Sequence, residues 1–314
     1  MRVLVAGATG VLGTPLLPQL TAAGHEVLAL ARPSSRVQAL GARRGVTVVP
    51  ADALDREGLT RAVRDAAPDA VVHLLTAIPA EIDPRRMGQA FATTNRLRTE
   101  GTRDLLDAAD TAGVQRVVAQ SIAFGYDPRG AGLATEDTAL WPRPARQFAS
   151  VLAAVQELEQ RTAQSGGLVL RLGHLYGPGS AFGLNGSFTS QVRARSLPIV
   201  GSGDAVFSFI HARDAAAAVV AALDSQVTGA LNIVDDDPAA TREWIPELAQ
   251  VLGAPEPRHI PALVARLAVG AWGVAFMTAL RGADNNRAKE LLGWQPGYSS
   301  WREGFAAELS ADDR

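Results

Sequence analysis

The feature that most constrains the fold is a run of three glycines close to the amino terminus. A short apolar segment, RVLVA, is followed by Gly7, Gly10 and Gly13, and then by an apolar stretch of helix length. A strand, a glycine turn and a helix in this order bring free backbone N–H groups and the positive end of the helix dipole together. The glycines also allow a pyrophosphate group to approach the backbone closely. The pattern therefore favours a dinucleotide site over an ordinary glycine-rich turn.

Short apolar runs alternate with helix-length patterns up to about residue 172, which predicts an α/β fold with a Rossmann-type doubly wound parallel sheet. The predicted strands are Arg2–Ala6, Glu26–Ala31, Val46–Pro50, Ala70–Leu75, Val114–Gln120, Leu168–Leu172 and Leu231–Val234. The predicted helices are Val11–Ala23, Arg56–Ala66, Gly88–Gly113, Phe148–Ser165, Ala212–Leu223, Trp244–Leu252, Ala262–Leu280 and Asn286–Leu292. We expect residues 1–172 to form the dinucleotide-binding domain, with 211–235 returning to it. Residues 173–210 and 236–314 are expected to form a smaller, mainly helical substrate-binding part.

Composition narrows the class of function. A formal net charge of −2 gives no general attraction to nucleic acid or to an anionic membrane, so neither is expected as a partner. The chain has no cysteine and no cluster of histidines and carboxylates with metal-ligand spacing, so no metal is expected. The longest apolar run, Leu267 to Leu280, is too short to span a bilayer. We expect a cytoplasmic protein that acts on a small molecule, with no expectation for its oligomeric state.

The end of the second predicted strand bears on the choice of cofactor. NAD-specific sites place a carboxylate there to bind the ribose 2′-hydroxyl. This chain has Arg32 instead, followed by Ser34, Ser35 and Arg36. A guanidinium and hydroxyls can bind a 2′-phosphate, so the segment favours NADP(H), although Arg32 could also be an ordinary surface residue. Asp52 is placed to meet the adenine amino group or to cap the next helix.

Several motifs together resemble the extended short-chain dehydrogenases/reductases, a family of sugar epimerases, dehydratases and ketoreductases. They are Gly7-x-x-Gly10-x-x-Gly13, Asp69–Leu75, Gly101–Ala109, Val117–Ser121, Leu170–Pro178, Phe209–Asp214 and Leu292–Pro296. The resemblance covers almost the whole chain. Together with the glycine turn and the second strand, it implies cofactor contacts at Gly7, Thr9, Gly10, Val11, Leu12, Gly13, Arg32, Ser34, Ser35, Arg36, Asp52, Ala53, Leu74, Leu75, Thr76, Ser121, Gly173, His174 and Leu175.

The chain departs from that family at the catalytic pair. The family uses a tyrosine as proton donor and, four residues later, a lysine that lowers the pKa of the tyrosine and binds the ribose. Here Phe148 and Leu152 have the same spacing, and the only lysine in the chain is Lys289. Asn95 lies too far before Gly101 to match the usual active-site asparagine, so that role is not carried over. The chain therefore resembles an atypical member.

The resemblance, with these departures, implies an NADPH-dependent ketoreductase, and the apolar residues named below favour a bulky, polycyclic aromatic ketone of the polyketide type as its substrate. Without the tyrosine, protonation is expected from a phenol on the substrate or from water, with Ser121 as the catalytic candidate that donates one hydrogen bond. Ser121 could instead bond only backbone, and His174 could be either a proton shuttle or a satisfied loop residue. The expected substrate-binding residues are Phe148, His174, Phe182, Leu184, Phe188, Trp272 and Phe276.

The substrate-binding prediction includes a covering surface formed by Leu263, Leu267, Trp272, Phe276 and Met277, which could equally be an ordinary packed helix pair. Two other functions stay open. A non-catalytic NADP(H)-binding redox sensor would also lack the tyrosine and the lysine. A sugar-nucleotide epimerase or dehydratase is disfavoured, because its reaction depends most on the missing base.

Overall fold

The computed structural model describes residues 1–32, 40–41 and 44–310. Its strands are β1 (Arg2–Ala6), β2 (Glu26–Ala31), β3 (Val46–Pro50), β4 (Ala70–His73), β5 (Arg116–Ile122), β6 (Leu168–Leu172), β7 (His174–Tyr176), β8 (Ile199–Val200), β9 (Val206–Phe207), β10 (Phe209–His211), β11 (Gly229–Ile233), β12 (Ala239–Ala240) and β13 (His259–Ile260).

The α-helices are α1 (Gly13–Ala22), α2 (Arg56–Ala66), α3 (Met87–Ala90), α4 (Ala92–Arg96), α5 (Thr102–Thr111), α6 (Arg146–Gln164), α7 (Ser187–Arg193), α8 (Ala212–Leu223), α9 (Thr241–Val251), α10 (Ala262–Thr278), α11 (Asn286–Leu292) and α12 (Trp301–Leu309). A 3₁₀ turn covers Pro84–Arg86 and a π-helical segment covers Leu97–Gly101. Among the described helices, none is both long and apolar enough to cross a membrane.

Seven parallel strands form the central sheet in the order β11-β6-β5-β4-β1-β2-β3. From β1 the chain first adds β2 and β3 on one side of the sheet and then adds β4, β5 and β6 on the other side, so the direction reverses between β1 and β4. In a doubly wound sheet, ligands bind at such a reversal, outside the carboxyl ends of the strands. The predicted doubly wound α/β fold is thus confirmed.

Both faces of the sheet are buried, which explains why its strands have nearly continuous apolar sequences. On one face, α1 and α8 pack against side chains such as Val5, Leu168 and Ile233. On the other face, α2 and α5 cover Leu4, Leu28 and Val71. Strand bounds follow the predictions to within two residues, because buried strands bounded by turns are the clearest pattern in this sequence.

A second core lies beyond the sheet and is rich in aromatic side chains, including Phe207, Phe209, Trp244, Trp301 and Phe305. It is formed mainly by α6, α9, α10 and α12. The division into two domains that we expect from the sequence stays a prediction, but β11 does return to the sheet beside β6.

Gly270 interrupts α10 with a φ of 73°, a value that favours glycine. The sequence pattern predicted one continuous apolar surface along this helix, and the structure corrects that expectation. Leu263 and Leu267 are 81% and 83% exposed, whereas Trp272 and Met277 are buried and Phe276 is half-buried. The interruption at Gly270 separates an exposed apolar half from a half that packs into the second core.

Candidate active site

The glycine turn at the carboxyl end of β1 packs so closely against neighbouring backbone that side chains would not fit at two of its positions. Gly7 has a φ of 102°, and a Cβ there would lie 2.8 Å from the carbonyl carbon of Leu74. A Cβ on Gly13 would lie 2.4 Å from the Gly7 carbonyl oxygen, so the first turn of α1 packs directly on the strand end. No described side chain caps α1. The Gly10 N–H donates to the Gly7 carbonyl oxygen at 3.0 Å and holds the turn closed. The free N–H groups of Val11 and the buried Leu12, together with the positive helix end, therefore suit a pyrophosphate.

Other residues predicted to contact the cofactor surround this turn. Leu74 is buried against Gly7, Leu75 is half-buried and Thr76 is exposed at the carboxyl end of β4. The loop after β7 approaches from the other side, since a Cβ on Gly179 would lie 4.0 Å from the Val11 side chain. Thr9 is half-buried in the turn. These observations are compatible with a dinucleotide site between the end of β4 and the loop after β7, and the individual contacts stay predictions.

At the end of β2, Arg32 is exposed, as a ligand of a 2′-phosphate must be. Ser34, Ser35 and Arg36 lie outside the described residues. Asp52 accepts a hydrogen bond from the backbone N–H of Leu54 at 3.0 Å, and Ala53 is buried. The residue that caps α2 is Asp55, so the helix-capping alternative for Asp52 is wrong.

Phe148 lies in the first turn of α6 and is 1% exposed. Its ring stacks on Trp272 of α10, with centroids 3.8 Å apart and an interplanar angle of 3°. Trp141 approaches the same indole at 6.3 Å. The position where the family has its proton donor is thus part of an aromatic stack.

His174 lies between the rings of Phe124 and Phe207, with centroid distances of 4.5 and 4.1 Å. Its Nδ1 is 3.2 Å from the carbonyl oxygen of Ser208, which can only accept, so Nδ1 carries the proton. Nε2 is buried and has no hydrogen-bond partner among the described residues. Burial lowers the pKa of His174 to about 3, and the bond to Ser208 offsets only part of that change. The imidazole is therefore neutral and offers a lone pair, not a proton.

Ser121 is held in a buried polar network. Its hydroxyl donates to Oε1 of Glu159 at 2.6 Å, and Arg171 binds both oxygens of the same carboxylate at 3.0 and 2.6 Å. The hydroxyl has one proton, and it is committed to Glu159. A hydrogen bond from Ser121 to a substrate carbonyl, which stays a prediction, would have to replace this bond.

The remaining predicted substrate residues come together in the second core. Phe182 stacks on Phe188 at 4.5 Å with an interplanar angle of 2°, and Phe188 is 6.3 Å from Phe276. Phe276 in turn lies 5.7 Å from His174, and Leu184 packs against the same core. Gly173 and His174 are buried and Leu175 is half-buried where β6 passes into β7.

The sequence reasoning missed Phe124, Trp141 and Arg98. Phe124 stacks on His174, and Trp141 approaches Trp272. Only their positions in the sequence, after β5 and before α6, could have indicated that they belong to the site. Arg98 is buried on the π-helical segment, and no sequence pattern pointed to it. Within the described residues, no three histidines or carboxylates could hold a metal ion.

Comparisons with known proteins agree with this geometry. The model of the NAD dependent epimerase/dehydratase family matches residues 3–234. The chain belongs to this family. A 3-diazoavenalumate denitrifying reductase from a Streptomyces species is 47% identical over 311 residues, which cover 98% of this chain and 100% of that protein. A UDP-glucose 4-epimerase from Mycolicibacterium smegmatis is 30% identical over 317 residues and 94% of each chain.

Solved structures share the fold. A dTDP-glucose 4,6-dehydratase from Streptomyces venezuelae, solved with NAD bound, aligns with a TM-score of 0.78 at 23% identity over 98% of this chain and 95% of that one. The family and the reductase relative support an oxidoreductase with a nicotinamide dinucleotide as cofactor, and the glycine turn fits that group.

Proposed function

We propose that this protein is an NADPH-dependent reductase that replaces the diazonium group of an aromatic acid by hydrogen and releases dinitrogen. The observation that carries the proposal is the stack of Phe148 on Trp272 where the family has its acid. In the described part of this site, His174 is neutral and the Ser121 proton is bound to Glu159. A reaction that consumes no proton suits such a site best.

The proposed reaction meets that condition. As a C–H bond forms at the ring carbon, the C–N bond breaks and its electron pair leaves with dinitrogen. A reduced nicotinamide, when bound, supplies the hydride with both electrons. An arenediazonium ion is already a cation, so its reduction yields a neutral arene and needs no acid. Reduction of a ketone instead builds up an alkoxide that must be protonated.

The whole-length similarity to a denitrifying reductase supports the same chemistry. Aromatic faces also suit a planar cation, because the ring quadrupole attracts positive charge by about 0.5–2 kcal/mol, with tryptophan the strongest partner. Trp141 and Phe124 are only half-buried and offer such faces, whereas Trp272 is buried with Phe148 stacked on it.

Two groups that react with arenediazonium ions, thiols and primary amines, are rare in this chain, which has no cysteine and one lysine. Lys289, on α11, forms an ion pair with Asp236 at 2.6 Å. The stacked rings exclude water, which would otherwise attack the diazonium carbon. Nε2 of His174, which has no partner among the residues that the structure describes, can accept a hydrogen bond from a ring hydroxyl and orient the substrate.

NADPH rather than NADH is proposed as the cofactor because β2 ends in the exposed Arg32 and not in a carboxylate. A guanidinium binds a 2′-phosphate through charge-assisted hydrogen bonds, whereas a carboxylate would repel it. The glycine turn would hold the pyrophosphate, and Leu74, Leu75 and Leu175 would line the path toward the nicotinamide.

A bulky aromatic ketone of the polyketide type is the second candidate. The observation in its favour is the same apolar, aromatic surface, which fits any flat fused-ring ligand. Such a ketone would need its own neighbouring phenol as acid. A sugar-nucleotide reaction stays disfavoured, because Phe148 and Leu152 provide no base.

Incubation of the purified protein with 3-diazoavenalumate and NADPH deuterated at the transferred position tests the proposal. We expect one dinitrogen released for each NADPH oxidised, deuterium at the former C–N carbon, and no solvent isotope effect. Reduction of aromatic ketones with no release of dinitrogen would favour the second candidate. Tight NADPH binding without turnover of either substrate class would favour the non-catalytic sensor.

A further inference from the structure

Within residues 1–32, 40–41 and 44–310, Arg98 is a buried cation without a counter-ion. The residue is 5% exposed, and its Nη1 atom has no hydrogen-bond partner in that part of the chain. Among the described residues it forms neither an ion pair nor a side-chain hydrogen bond. Burial lowers the pKa of Arg98 only to about 10, so the guanidinium is charged at neutral pH. Buried charges are normally paired, since an unpaired one costs several kcal/mol of stability.

The helix face that carries Arg98 is directed at the carboxyl end of β4. One turn earlier, Thr94 accepts a hydrogen bond from the backbone N–H of Ala77 at 3.0 Å. One turn later, Thr102 is hydrogen-bonded to Nε2 of His73 at 2.8 Å. The pKa of His73 is lowered to about 4, first by burial and second by the positive charge of Arg98. The guanidinium is therefore close to His73, at the carboxyl end of β4.

The backbone at Arg98 is unusual as well. Leu97–Gly101 forms a π-helical segment between α4 and α5 and packs against α6. Such segments insert one residue into a helix and are frequent at functional sites. Helix α6 is the element on which the family has its ribose-binding lysine, and there this chain has the buried, apolar Leu152.

We propose that Arg98 binds the nicotinamide half of the cofactor, its ribose hydroxyls and adjoining phosphate, and so replaces the missing lysine from a neighbouring helix. The phosphate supplies the counter-ion that the described residues do not. This inference rests on a nicotinamide dinucleotide as cofactor and is independent of the substrate that is reduced.

The test uses the full-length, cofactor-free protein and fragments of the cofactor. Nicotinamide mononucleotide probes the proposed half, and 2′,5′-ADP probes the adenosine half. For Arg98→Met we expect the Kd of NADP+ and of nicotinamide mononucleotide to rise roughly ten- to a hundred-fold, the effect of losing hydrogen bonds to a charged group. The Kd of 2′,5′-ADP should not change. The Tm of the cofactor-free variant should rise, because an unpaired buried charge is removed.

Arg116→Met is the matched control. Arg116 is also buried, at 8% exposure, but it donates to the carbonyl oxygens of Ala222 and Val227 at the opposite end of β5. Its loss should lower the Tm without weakening NADP+ binding by the folded fraction. Arg98→Gln, which is polar and uncharged, should reproduce the binding pattern of Arg98→Met if the methionine variant does not fold. Unchanged affinity for nicotinamide mononucleotide in the folded Arg98 variants, or an equal loss for 2′,5′-ADP, would overturn the proposal.

Discussion

Changing Phe148 to tyrosine should not accelerate this enzyme. In the usual family members, a tyrosine at this point acts as a general acid, a role that contributes about 10²–10⁴-fold to rate. Here the reaction is proposed to take up no proton, and no lysine is present on α6 to lower the pKa of a tyrosine. We therefore expect kcat/KM for 3-diazoavenalumate to stay the same or to fall.

The cost in stability follows from the packing. Phe148 is 1% exposed and belongs to an apolar cluster with Met87, Val151 and Trp272. A buried hydroxyl without a partner costs about 1–3 kcal/mol. At about 2.1 cal/mol/K per residue, the unfolding entropy of the chain is roughly 0.7 kcal/mol/K, so the Tm should fall by about 2–5 °C.

The assay compares kcat/KM for 3-diazoavenalumate and for an aromatic ketone in the wild type, in Phe148→Tyr and in the apolar control Phe148→Leu. The diazonium reaction should be independent of pH across the neutral range in all three proteins. A gain of a hundred-fold or more for either substrate in Phe148→Tyr would refute the reasoning. It would show that the site is a conventional one that has lost its acid.

Three further predictions concern the cofactor, the polar network and pH. Arg32→Asp should reverse a preference for NADPH over NADH in Kd, and equal affinities in the wild type would contradict the assignment. Ser121→Ala should lower the Tm, because it removes a hydrogen bond to the buried carboxylate of Glu159 worth about 1.5–3 kcal/mol, and it should change kcat less than tenfold. Loss of turnover at an unchanged Tm would instead indicate contact with the substrate. The pKa of His73 is lowered from 6.5 to about 4, and that of His174 from 6.5 to about 3. As the pH falls, the unfolded chain therefore protonates these two histidines before the folded protein does. The stability that these two neutral histidines contribute to the cofactor-free protein should therefore be complete above about pH 6.5 and be lost as the pH drops toward 4 and 3. A Tm that stays flat over that range would contradict this account.

Much of the sheet could be derived from local sequence. Five-residue apolar runs between turn residues gave β1, β3 and β6 with the bounds that the structure has. The short strands β7 to β10 and the helices α7 and α12 were not predicted. They have two to nine residues, and their positions depend on packing against the aromatic core more than on any periodic pattern.

The unusual chemistry was also visible in the sequence, since a chain with Lys289 as its only lysine cannot have the family's catalytic pair. Which side chains occupy that place instead was decided by tertiary structure. Phe148 meets Trp272 from a distant helix, just after the interruption of α10 at Gly270, and Ser121 meets Glu159 across the space between β5 and α6. Periodicity determines which face of an element is buried, but it contains no information about the partner on the other side. The same reason explains why Arg98 was not recognised: whether a charge is paired depends on residues brought near it by folding.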